Sequence, residues 1–279
     1  MEPLLKVRNL TIRYRSAART EREAVRDVSF DVAPGEVLGV MGESGCGKTS
    51  LGLALLGLLS EEHAEVSGSI VFRGEEMLAM KETSLQKIRG AGISMVYQEP
   101  GIALSPVMRV GAQISEIVHA HRQWTWKKCR AEAHSMLARV GLTPTERIFS
   151  AYPHQLSGGQ LQRVVLAQAL ICEPALVIAD EPTASLDARS QSDLIALLRE
   201  LKQGLRISLL LISHTPEIQA SLADRLMVMR NGEIVEKGRF DQMYWSPVQG
   251  YTKTLLRRDR PAADGNLEHA HEAHEHVAR

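Results

Sequence analysis

The segment Gly42-Glu43-Ser44-Gly45-Cys46-Gly47-Lys48-Thr49 fits the pattern GxxxxGK[ST], a spacing suited to holding a triphosphate. Its glycines let the backbone close on phosphate oxygens. Successive N–H groups, together with the start of the helix that follows through Ser50, place partial positive charge where the triphosphate is most negative. Cys46 adds its backbone N–H. Lys48 is placed to reach the β and γ phosphates, and the Thr49 hydroxyl to bind a Mg²⁺ that bridges them. Alone, this loop says only that the chain handles a nucleoside triphosphate.

Further along, the apolar run Leu176-Val177-Ile178-Ala179 ends in Asp180 and Glu181. That puts two adjacent carboxylates at the carboxyl edge of a sheet, where ligand sites of α/β folds lie. Two acids there can divide the work of hydrolysis. Asp180 is suited to hold Mg²⁺, directly or through water, and Glu181 to polarise the attacking water as general base. By itself the pair fits equally a solvated strand end before a helix cap.

These groups need a scaffold, and the pattern supplies one. Leu4 to Tyr14 and Val25 to Val32 alternate as strands, and Pro34-Gly35 turns into a buried-type strand from Glu36 to Met41. The glycine loop then feeds an apolar helix that should end near Leu59. Strands are predicted at Gly68 to Arg73 and Ile93 to Tyr97, and a helical block from about Val110 to Val140 interrupts the strands like an insertion. After Ser157-Gly158-Gly159 a helix should run to about Ile171. Strand Ala175 to Ala179, helix Ala188 to Gln203 and strand Ile207 to Ile212 then give βαβ alternation. Asn231-Gly232 marks a tight hairpin between Leu226 to Met229 and Glu233 to Glu236.

Composition narrows the function classes. Lys plus Arg and Asp plus Glu each number 33 among 279 residues, so no net field favours nucleic acid. Cys46, Cys129 and Cys172 form no CxxC pair, so neither a disulfide framework nor a thiolate zinc site is expected. The opening MEPLLKVRNLTIRYR mixes charge with apolar residues and does not read as a signal peptide. The longest apolar stretch, Leu51 to Leu59, is about half a bilayer span. If this protein works at a membrane, other chains must cross it.

Leu156-Ser157-Gly158-Gly159-Gln160, taken with the phosphate loop and the acidic strand, resembles the signature of the ABC ATPases, and the resemblance runs from about Leu4 to Leu256. It implies an α/β phosphate-loop NTPase core over residues 1–258, with an N-terminal antiparallel β subdomain and an inserted α-helical subdomain at about 99–158. In that family the signature of one subunit faces the phosphate loop of another, and two ATP molecules are sandwiched between. Ser157, Gly158, Gly159 and Gln160 at a helix start would form the second anion cradle. A lone SGG is otherwise an ordinary cap. The resemblance also gives Gln98 a role in contacting Mg²⁺ and the attacking water, and His214 a hydrogen bond to the γ-phosphate. Asp187, within Ser185-Leu186-Asp187, would sense the opposite site, and Tyr14 would stack on adenine.

Met95-Val96-Tyr97-Gln98-Glu99-Pro100, Ser105 to Gly111, Tyr152-Pro153-His154-Gln155, and Ser246-Pro247 with Tyr251-Thr252 and Leu255-Leu256 are similar to the peptide and nickel importer branch. That branch implies a second ATPase chain (a copy or a paralogue), two transmembrane permeases and an external solute-binding protein. It implies a place on the cytoplasmic face of the inner membrane, and a helical block from Glu99 to Ser150 that receives a permease coupling helix. Departures touch the solute rather than the ATP chemistry: Ser105 stands where those relatives usually have asparagine, Thr215 where they have aspartate, and Gln249-Gly250 where they have His-Pro. With no cysteine after Cys172, no iron–sulfur cluster is expected. The tail 259–279, with His269, His271, His274 and His276 among glutamates, reads as a disordered solvated segment, with loose metal binding as the rival reading. Two other functions stay open at this point. One is an accessory ABC-type ATPase of a soluble enzyme complex such as phosphonate breakdown. The other is a non-transport ATPase of translation or DNA repair, which would call for tandem motif sets or a basic surface.

Overall fold

The computed structural model describes residues 2–15, 21–60 and 62–257. The His- and Glu-rich tail lies outside these described residues.

Two sheets frame the chain. The first is antiparallel and contains β1 (Leu5–Arg15), β2 (Glu21–Val32), β4 (Ala64–Phe72) and the short β5 (Glu75–Glu76), in the order β2-β1-β4-β5. The second contains β3 (Val37–Met41), β6 (Ile93–Val96), β7 (Leu176–Asp180), β8 (Ser208–Ile212), β9 (Arg225–Arg230) and β10 (Glu233–Arg239). Its order is β10-β9-β3-β8-β7-β6, parallel except for the β9–β10 hairpin. Every residue of β3, β6, β7 and β8 is buried, which explains why these strands read as continuous apolar runs rather than alternations.

Helix α1 (Lys48–Leu55) is buried between the two sheets, where Leu51 and Leu55 join Leu5, Val7, Val25, Ile178 and Ile212 in one core. A second core lies on the other side of the large sheet. There α4 (Val110–Arg122), α5 (Trp126–Arg139), α7 (Gly158–Leu170) and α8 (Ala188–Leu205) pack through Ile114, Leu137, Val164 and Leu198. Between β6 and α7 the regular elements are all helices, α3 (Pro100–Ala103) and α6 (Thr145–Ser150) among them.

Several elements differ in extent from the sequence reading. β2 starts at Glu21 rather than Val25, because pairing with β1 sets Tyr14 opposite Arg22, and Arg13 opposite Glu23 with an ion pair at 2.8 Å. Such cross-strand partners are invisible to an apolar alternation. α1 stops at Leu55, where the chain turns into a left-handed Gly57. The helical block expected from about Val110 to Val140 is divided at Gln123, also left-handed (φ 51), into two helices. Four short helices carried too few turns to show a period. They are α2 (Glu82–Ile88), α9 (Pro216–Leu222), α10 (Phe240–Trp245) and α11 (Gly250–Arg257).

Candidate functional site

The carboxyl ends of β3, β7 and β8 open on a cleft of about 610 Å³. Tyr14, Gly42, Ser44, Gly45, Gly47, Lys48, Thr49, Ser50, Gln98, Asp180, Glu181 and His214 all line it, so twelve of the residues singled out in the sequence share one cavity. The loop between β3 and α1 forms its floor. Gly47 caps α1 with φ 107, and a Cβ there would run into the carbonyl oxygen of Ala24, so only glycine lets the loop lie this close to β2.

Lys48 is nearly buried, 8% exposed, and its ammonium donates to the carbonyls of Gly42 at 2.8 Å and Glu43 at 3.0 Å. The cation thus sits inside the curl of the loop, within a side chain's swing of whatever the loop holds. Cys46 does not face the cleft. Its N–H donates to the Glu43 carbonyl at 3.3 Å, and its sulfur is buried beside the Lys48 ammonium, with burial pushing the thiol pKa up. Tyr14 donates from its hydroxyl to the Ser50 hydroxyl, 3.1 Å away, bringing the aromatic ring to the rim of the loop.

At the other wall, the Thr49 hydroxyl donates to Asp180 Oδ2 at 2.8 Å. Burial raises the Asp180 pKa above its ordinary value and the charge of Glu181 adds to this, while the Thr49 hydrogen bond and Lys48 pull the other way. A hydroxyl and a carboxylate this close are hard oxygen donors of the kind Mg²⁺ takes. Among the described residues no cluster of three His, Cys, Asp or Glu could hold a metal.

Glu181 has an unusual backbone, φ 47 in a non-glycine residue, held by its N–H donating to the Ile212 carbonyl at 2.9 Å. Its carboxylate accepts from the backbone N–H of His214 at 3.0 Å and from the His214 ring Nδ1 at 2.8 Å, both on Oε1. The histidine is thereby tied to the proposed base while its side chain stays 64% exposed. Neither the strained backbone nor this pairing is legible in the sequence.

Ser157, Gly158, Gly159, Gln160 and Asp187 are not part of the cleft. They form a second group at two adjacent helix starts. Ser157 caps α7 by accepting from the Gln160 N–H at 3.3 Å, and Gln160 Oε1 accepts from the Ser157 N–H at 3.1 Å, a reciprocal box. Asp187 caps α8 by accepting from the Ser190 N–H at 3.0 Å, which holds its carboxyl below the usual range. A Cβ on Gly159 would lie 3.9 Å from the Ser190 hydroxyl, so the two helix starts are neighbours. Ser157, Gly158 and Asp187 are exposed, and a Cβ on Gly158 would meet nothing within 4 Å.

Sequence reading missed Arg22 and Leu255 in the cleft wall. Arg22 stands across the strand pair from Tyr14, and its guanidinium donates to the Gly45 carbonyl at 3.4 Å. Strand register was its only signal. Leu255 belongs to a helix too short to be foreseen.

Residues 25–184 match the family model described as "ABC transporter". The chain is 38% identical over 269 residues to the oligopeptide transport ATP-binding protein OppD of Haemophilus influenzae, covering 96% of this chain and 82% of the relative. It is 41% identical over 258 residues to the dipeptide transport ATP-binding protein DppD of Bacillus subtilis, covering 92% and 76%. Among solved structures, a dimeric ATP-binding cassette in a post-hydrolysis state bound to ADP and Pi superposes with a TM-score of 0.75 at 25% identity, over 85% of this chain and 98% of that one.

Proposed function

The chain belongs to the ABC transporter family as an ATP-binding, ATP-hydrolysing subunit that energises an importer, and from that premise we propose how its residues divide the work. ATP lies in the cleft, with adenine against Tyr14 and its phosphates on Gly42 to Ser50. Lys48 exchanges its loop carbonyls for β- and γ-phosphate oxygens. Thr49, Asp180 and Gln98 would hold a Mg²⁺, which when bound neutralises charge on the phosphates. Glu181 takes the proton of the attacking water, oriented by its bonds from His214, and His214 steadies the γ-phosphate.

One observation carries the reading: the residues suited to hold nucleotide fall into two separate groups within one chain. The cleft binds one side of a triphosphate. The exposed helix starts capped by Ser157 and Asp187 offer their remaining N–H groups to another, which only a second chain can bring. That partner is a copy or a paralogue. The post-hydrolysis cassette of similar fold is a dimer with ADP and Pi, in keeping with this arrangement.

No helix among the described residues is long and apolar enough to cross a membrane, so permease subunits would do so, with this chain docked on their cytoplasmic side. The helical block 99–158 is the candidate dock. Between Gln98 and α4, Ile102 and Val107 are 77% and 80% exposed, and a groove of about 370 Å³ between α4, α5 and α6 has Arg109, His134 and Phe149 in its walls. A solute of the peptide class follows from the names of the two relatives, which favour import over the soluble-complex reading; nickel or a related small solute is the rival cargo. Replacing Glu181 by Gln is expected to lower steady-state hydrolysis about 100-fold or more while ATP binding persists. Near-normal turnover would remove Glu181 from its role.

A further inference from the structure

The C-terminal residues Tyr251, Thr252, Leu255 and Leu256 have no part in the hydrolytic scheme, yet the structure brings them against the phosphate loop. α11 is amphipathic: Thr252, Leu255 and Leu256 are buried, Tyr251 is half-buried, and Gly250, Lys253 and Thr254 are exposed. Leu255 and Leu256 pack in one cluster with Met41, Leu226, Val228, Phe240 and Met243. Met41 is the last residue of β3, directly before the loop. Leu255 reaches past it into the wall of the nucleotide cleft.

Tyr251 makes the closest link. Its hydroxyl accepts from the Glu43 N–H at 3.2 Å, and Arg230 lies over its ring, 4.8 Å from the centroid. Glu43 is the residue whose carbonyl holds the Lys48 ammonium from the inner side. A single peptide segment is therefore gripped from within by the catalytic lysine and from without by Tyr251. The lead-in to α11 is anchored too, since the Glu236 carboxylate accepts from the N–H groups of Val248 at 2.8 Å and Gln249 at 3.0 Å. Burial pushes the Glu236 pKa up, but these bonds, with that of Thr252, outweigh it and hold the carboxyl below its usual value.

We infer that α11 is a strap on the phosphate loop and that Tyr251 is a positioning residue for ATP binding. Its hydroxyl fixes the Glu43 peptide so that the loop meets the triphosphate already shaped, and the ordering cost is not borne at the moment of binding. Coupling is reciprocal, so ATP in the loop tightens the docking of α11. This inference rests on the reading that the loop at Gly42 to Thr49 binds the triphosphate.

The test uses the whole chain and ATP. Tyr251→Phe keeps the ring and removes only the hydroxyl. It should raise the Kd for ATP, and the KM of hydrolysis in the assembled complex, by about three- to tenfold, the scale of one lost hydrogen bond. kcat should change far less, and the unfolding midpoint without nucleotide should stay put. Glu236→Gln, which loosens the lead-in from a distance, should shift Kd in the same direction. Amide exchange in 250–257 should slow when ATP is added to the natural chain. Unchanged ATP affinity in Tyr251→Phe, or exchange in α11 indifferent to ATP, would overturn the strap. Lys48→Ala run alongside separates the two failures: if it binds ATP normally, the loop assignment itself is wrong.

Discussion

Burial leaves Asp180 with a carboxyl that keeps its proton above the ordinary 3.8, the Thr49 hydroxyl and Lys48 being its only offsets. A folded-state value raised in this way lends stability below the unfolded value, and that stability is lost as pH rises through the folded value. Ionising Asp180 is therefore a cost to the nucleotide-free fold, one that the Mg²⁺ of the proposed scheme would relieve. Asp180→Asn should raise the unfolding midpoint of the nucleotide-free chain near pH 7 while abolishing hydrolysis; a lowered midpoint would show that Asp180 is structural. Glu181 carries a parallel cost in its left-handed backbone, of about 1–3 kcal/mol. Side-chain identity and motif spacing made both acids visible in the sequence. Their burial, their strain and the bond from His214 to Glu181 depend on β7 and β8 lying side by side, which no local window contains.

Helix starts divide into two kinds here, and a pair of glycine replacements should tell them apart. Gly47 opens α1 beneath the Ala24 carbonyl, so Gly47→Ala meets both a clash and a disfavoured φ. It should cost about 1–3 kcal/mol and weaken ATP binding sharply. Gly158 opens α7 with nothing within 4 Å, so Gly158→Ala should leave the melting curve unchanged or slightly raised. Thermal unfolding of the two variants reads this directly. The long elements were legible because strands buried on both faces and amphipathic helices write strong periods into the chain. What escaped was set mostly by partners far away: the polar start of β2 by its pairing with β1, and α11 by its docking on Met41. For the same reason Arg22, absent from every motif, and Leu255, seen in the sequence only as part of a branch resemblance, proved to be part of the cleft wall.

Among the described residues the nucleotide cleft stands apart from a pair of exposed helix starts that satisfy only their own caps. In the proposed scheme hydrolysis by a single copy would leave the γ-phosphate facing water, and the Ser157 hydroxyl with the Gly158 and Gly159 N–H groups of another chain would close it. On that proposal, energy for transport would come from the making and breaking of this contact as ATP binds and is cleaved. The most direct measurement is ATP-driven pairing of the Glu181→Gln chain with its ATPase partner, followed by sedimentation, with and without Gly158→Arg. Because the space over Gly158 is empty, the arginine should leave folding and ATP binding in the cleft intact while pairing is lost. Pairing that persists undiminished in Gly158→Arg would contradict a site shared between two chains.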